Sequence, residues 1–143
     1  MTIQFSKWRW AGVAALTLAI WPLASGAKAS EACTYQCKSG QIRFMPGQPL
    51  TIEFVNHTSG LINLERVLDI DLYWLRSQRE FQIQTQVGVD PDMSLVFWGQ
   101  DNRAVNAVLH RPDAQTLRIE FLPSGFDSDR AVHVANDGRV LVY

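Results

Sequence analysis

Leu50, Ile52 and Phe54 recur at every second position with Thr51 and Glu53 between them, the period of a strand with one buried face. Ahead of them, Gln41 to Met45 reads as another strand. Between the two, Pro46-Gly47-Gln48-Pro49 makes a sharp bend, because its prolines forbid a helix and remove ladder donors. Asn56-His57-Thr58-Ser59-Gly60 then breaks the run. It holds Asn56-x-Thr58, a glycosylation acceptor pattern in a eukaryotic secretory route, but in this context it reads as a turn.

The stretch from Leu61 to Leu75 admits two periods. Leu61, Leu64, Leu68, Leu72 and Leu75 form a helical stripe that also takes in Glu65 and Asp71. By twos, Ile62, Leu64, Leu68, Ile70, Leu72 and Trp74 share a face with only Arg66 against them, a better match, so strand is expected and a helix over 63–76 is the alternative. The parity then reverses. Phe81, Ile83, Thr85 and Val87 alternate with Gln82, Gln84 and Gln86, which requires a turn or bulge near Ser77-Gln78.

Further short runs, bounded by turn residues, occupy Ser94 to Trp98, Arg103 to Leu109, Thr116 to Leu122 and Ala131 to Val134. The last, Arg139 to Tyr143, follows Asn136-Asp137-Gly138, the strongest hairpin signal in the chain. The spacing predicts a mainly β fold, a single antiparallel β-sandwich or barrel of about eight short strands. Trp74, Phe97 and Trp98 are expected in or near its core, because large aromatics fill the space between packed sheets. If Ser94 to Trp98 is a strand, however, Phe97 and Trp98 face opposite ways, and the outward one, beside Arg103, is the first place to seek a partner surface.

The first 29 residues stand apart. Lys7 and Arg9 precede an apolar run from Ala11 to Ala24, and Ala27-Lys28-Ala29 has the small-x-small form of a signal-peptidase site. The reading is therefore a cleavable signal peptide, 1–29, and a single exported β-rich domain, 30–143, in a bacterial periplasm or an equivalent lumenal or extracellular compartment. From Ala11 to Ala27 the run is shorter than the roughly 20 apolar residues of a membrane span, so membrane association is expected only if the segment is retained. Glu31, just before Cys33, does not suit a lipid-modified start, and no twin-arginine pair precedes the run.

Removing Met1 to Ala29 leaves 10 basic and 14 acidic side chains, a formal charge of −4, with no cluster of Lys and Arg. Nucleic acid is not an expected partner. Cys33 and Cys37 are the only cysteines, and in an oxidising compartment such a pair is most simply a disulfide. The spacing is one residue longer than that of a catalytic Cys-x-x-Cys, and no helix pattern follows.

The run Gly47-Gln48-Pro49-Leu50-Thr51-Ile52-Glu53-Phe54-Val55-Asn56 resembles an early strand of cupredoxin-like domains. The resemblance covers ten residues and implies a β-sandwich. Copper in that family uses a thiolate and two imidazoles, with the Cys in a late loop. No Cys follows Cys37 here, so blue-copper electron transfer is not implied.

No catalytic constellation emerges. Ser124 lacks a Gly-x-Ser-x-Gly elbow. His57, His110 and His133 are widely separated metal candidates, and Asp127 and Asp129 are loop candidates for calcium, without the spacing that makes such motifs specific. Asp69 and Asp71 share a strand face and read as solvent-facing charge. No cofactor is expected. Two functions are consistent with the chain: a non-catalytic exported domain that binds a protein partner or serves as an accessory subunit, or a small periplasmic metal-binding or redox protein.

Overall fold

A computed structural model describes residues 32–67, 72–89 and 93–143. The expected signal peptide and the Asp69/Asp71 pair lie outside the described residues. Among those residues there are nine strands and no helix. They are β1 (Pro49–Asn56), β2 (Ile62–Arg66), β3 (Leu72–Leu75), β4 (Glu80–Gln86), β5 (Met93–Gly99), β6 (Val105–Asp113), β7 (Thr116–Pro123), β8 (Ala131–Val134) and β9 (Val140–Val142).

The strands form two sheets, one of four in the order β4-β1-β7-β6 and one of five in the order β3-β2-β5-β8-β9. This is a β-sandwich, as the alternation predicts, with one departure from an antiparallel arrangement: β1 runs parallel to β7, with Phe54 opposite Ile119. The other strand pairs are antiparallel. Leu50, Ile52 and Phe54 of β1 and Leu117, Ile119 and Phe121 of β7 fill the interior against Ile62, Leu64, Leu95 and Phe97 of the other sheet. The Phe97 and Phe121 rings meet across the two sheets at 4.7 Å.

The alternative helix over 63–76 is not formed. Ile62–Arg66 and Leu72–Leu75 are paired strands, with Asn63 opposite Trp74. Paired to β2, Tyr73 and Leu75 satisfy their backbone groups across the ladder, and the period of two prevails. The single face expected for the whole stretch also splits. Ile62 and Leu64 point inward, whereas Leu72 and Trp74 point out, at 45% and 69% exposure. Trp74 is therefore not a core residue. The turn expected near Ser77-Gln78 is present, with Gln78 at a φ of 58° before β4, and Gln82, Gln84 and Gln86 face solvent. The parity reversal falls earlier, between Leu64 and Tyr73, because Tyr73, Leu75, Phe81 and Ile83 all face inward.

Residues 33–45 are largely irregular, not the strand expected at Gln41 to Met45, yet they close one side of the sandwich. Cys37 bridges to Leu109 on β6, the edge of the four-stranded sheet, and Arg43 bridges to Arg139 beside β9, the edge of the five-stranded one. Ile42 and Phe44 are buried between them. Cys33 and Cys37 form a disulfide with their Cα atoms 5.7 Å apart, so the intervening residues turn, with Gln36 at a φ of 47°.

Candidate functional site

The outward faces of the two sheets differ in chemistry. On the four-stranded sheet, parallel pairing of β1 with β7 sets Glu53 opposite Arg118 and Val55 opposite Glu120. Arg118 donates from Nε to Glu120 Oε1 at 2.9 Å and from Nη1 to Glu53 Oε2 at 3.3 Å. The other Glu120 oxygen lies 3.3 Å from His110 Nε2 and 3.6 Å from His57 Nε2. Burial raises the Glu120 pKa, but the Arg118 hydrogen bond and the two imidazoles outweigh it and hold the carboxyl below its ordinary range. Conversely, the two carboxylates hold Arg118 above its ordinary value.

His110 is 4% exposed beneath the disulfide loop. The Gln36 N–H donates to its Nδ1 at 3.1 Å, and the Tyr35 ring lies 4.6 Å away. With Nδ1 accepting, the neutral ring carries its hydrogen on Nε2. That N–H has no hydrogen-bond partner among the described residues, and its contact with Glu120 is electrostatic. In this tautomer Nε2 offers no lone pair to a metal. Two of the three sequence-predicted histidines thus meet a carboxylate. Among the described residues, however, no group of three or more His, Cys, Asp or Glu is arranged to hold a metal ion.

His133 is on the other sheet, directly opposite Ser94, whose hydroxyl lies 2.8 Å from its Nδ1. Neither residue is near His57 or His110 in the sheet order. Asp129 Oδ2 accepts the Ala107 N–H at 2.7 Å, fastening the loop before β8 to β6. The Asp127 carbonyl accepts the Ser124 hydroxyl in the same loop. Both aspartates therefore take part in local loop bonding.

The outward face of the five-stranded sheet sets aromatic and aliphatic side chains among Asn63, Glu65, Ser94 and His133. Asn63 on β2 stands directly opposite both Trp74 on β3 and Trp98 on β5, so the two indoles occupy one row, about 9.5 Å apart at the usual strand spacing. Although Asn63 points outward, it is buried, as expected between two large cross-strand neighbours. The adjacent row carries Leu72, Glu65 and Val96. Trp98 and Arg103 also line a depression of about 270 Å³ with Phe126 and Arg130. Phe126 is fully exposed.

The unbroken apolar run Leu95 to Trp98 made the outward aromatic at Trp98 legible from the sequence. Trp74 was missed because Leu72 and Trp74 change faces relative to Ile62 and Leu64, and nothing in the alternation announces that change. The Arg118–Glu120 pair follows from spacing on one strand, but its contacts with Glu53 and His110 depend on strand order. Comparison with family models, curated proteins and solved structures gives no match for this chain.

Proposed function

We propose that residues 30–143 form a non-catalytic exported domain that binds a partner protein through the outward face of the five-stranded sheet. The observation that carries this reading is the Trp74-Asn63-Trp98 row. It places two large aromatics on the outward face, Trp74 exposed and Trp98 half-buried, while Phe97, Phe54 and Phe121 already fill the interior. Exposed apolar clusters of this kind mark interaction surfaces. Tryptophan and arginine are the side chains most often found to anchor interfaces, and the exposed Arg103 and Arg130 border the row at Trp98. The partner surface that fits is apolar at its centre, with carboxylates at its rim. The signal-like start and the Cys33–Cys37 disulfide support export.

A photo-reactive amino acid placed at position 74 or 98 tests the reading in cells that produce the chain. The expected outcome is a discrete higher-mass adduct from both positions and none from position 84, on the polar sheet, with the adduct lost in a Trp74→Ser/Trp98→Ser pair when the reactive group is moved to position 96. Equal labelling at 84, or none at 74 and 98, would overturn it. Export is checked by the mass of the mature protein, expected to lack residues 1–29.

A further inference from the structure

We propose that the β3 edge accepts an extended, acid-flanked segment of a partner protein as an added strand; this rests on the protein-binding reading and names the part of the partner involved. Backbone direction on β2 follows from its neighbours. The Leu61 carbonyl accepts the Gln100 N–H and the Val67 N–H donates to the Ser94 carbonyl, so the odd-numbered backbone groups of β2 face β5. Its even-numbered groups therefore face β3, opposite Leu75 and Tyr73. By the same alternation, the N–H and C=O groups of Leu72 and Trp74 point away from β2, toward the edge, where no described strand lies.

That edge adjoins an open seam. β3 and β4 are the edges of their sheets on the same side of the sandwich, and between them runs a groove of about 440 Å³ whose lining includes Leu64, Tyr73, Arg76, Arg79, Glu80 and Phe81. The Tyr73 and Phe81 rings meet at 4.6 Å across it. Phe81 and Ile83 point to the interior but are only half-buried, because no described strand covers them. The opposite seam shows what fits such a place. There residues 34–43 cross from one sheet edge to the other by backbone bonds: Cys37 N–H to the Leu109 carbonyl, Arg111 N–H to the Thr34 carbonyl, and Val140 N–H to the Ile42 carbonyl. In doing so they bury Ile42 and Phe44.

An added strand antiparallel to β3, the slightly more stable pairing, sets one alternate side chain over Tyr73 and Phe81 and the next beside Trp74. Its N-terminal end lies by the exposed Arg76 and Arg79, which outnumber the neighbouring Glu80 and favour Asp or Glu there. Strand addition of this kind draws affinity from main-chain bonds and selectivity from alternate side chains.

The test is a display selection of random ten-residue peptides on the purified full chain. Enriched sequences are expected to alternate apolar with polar residues and to carry an acid near the N-terminal end. Their affinity is expected to fall at least tenfold on Leu72→Pro, which removes an outward N–H at the first residue of an edge strand where proline is tolerated, and less than threefold on Leu72→Thr, which keeps it. A second measurement leaves the protein unchanged: methylating alternate peptide amides in one phase is expected to abolish binding, and in the other phase to spare it. No enrichment, binding indifferent to the methylation phase, or a dimer of this chain that Leu72→Pro dissolves would overturn the proposal. Photo-adducts at position 98 that persist in Leu72→Pro would leave the protein-binding reading standing while the strand-addition proposal fails; absence of adducts at both 74 and 98 would remove the former.

Discussion

At the scale of single residues, Asn56 and Glu120 each join several elements. Asn56 is fully buried and uses both ends of its amide. Nδ2 donates to the Gly60 and Leu75 carbonyls at 2.8 Å each, and Oδ1 accepts from the Thr58 N–H and hydroxyl. It ties the end of β1 to β3 on the opposite sheet, which explains the Asn-His-Thr break as a turn. Asn56→Ala leaves several buried partners unsatisfied and is expected to cost about 3 kcal/mol, read as a lower denaturation midpoint at unchanged slope. Glu120 acts through charge. Its folded pKa lies below the ordinary value, so its contribution is present above the unfolded carboxylate pKa and is lost as pH falls through the folded one. Glu120→Gln is expected to lower stability by about 1 kcal/mol at neutral pH. Denaturant midpoints measured across the acid range are expected to show the two proteins converging as pH falls.

At the scale of elements, most strands were legible and their partners were not. Ala131 to Val134 is β8, and the Asn136-Asp137-Gly138 signal is the turn into β9, because side-chain period and turn chemistry are local properties. Gly138 shows why the signal is strict. It has a φ of 84°, and a Cβ there would stand 1.9 Å from the Phe44 carbonyl oxygen, whose own residue accepts no displacement cheaply because the Phe44 N–H is bonded to the Gly138 carbonyl. Gly138→Ala is expected to destabilise by 3 kcal/mol or more, on the order of the largest single-site effects, with a thermal unfolding midpoint lowered accordingly. The parallel pairing of β1 with β7 and the outward turn of Trp74 lay beyond local pattern. The second is decided by a change of parity between β2 and β3 that neither strand announces, and the first by which strands meet, a contact over tens of residues that alternation does not encode. For the same reason His57 and His110, 53 residues apart, converge on Glu120 while His133, equally scattered in the chain, does not.

At the scale of the whole molecule, the sandwich has one laced side and one open side, and stability is expected to be distributed accordingly. The laced side depends on residues 33–45, held to β6 by the Cys37 and Thr34 backbone bonds and by Gln36 on His110. The disulfide closes a loop of only five residues, so its removal is expected to cost about 2 kcal/mol, the low end for such bonds. A uniform loss of global stability is one form that cost can take; local release of the loop is another, and the contacts favour the second. Tyr35 is exposed, and the β6 edge under the loop is bonded from its other side to β7, so the loop can detach without opening the core. In a Cys33→Ser/Cys37→Ser chain, amide exchange at Cys37's position and at Arg111 is therefore expected to quicken more than at Ile119 and Phe121, which lie in the interior between β1 and β6. Equal acceleration at all four positions would instead make the disulfide a fastener of the entire fold. Residues 72 to 75, on the open side, are expected to exchange at the same rate in both chains, since no described contact joins that edge to the loop.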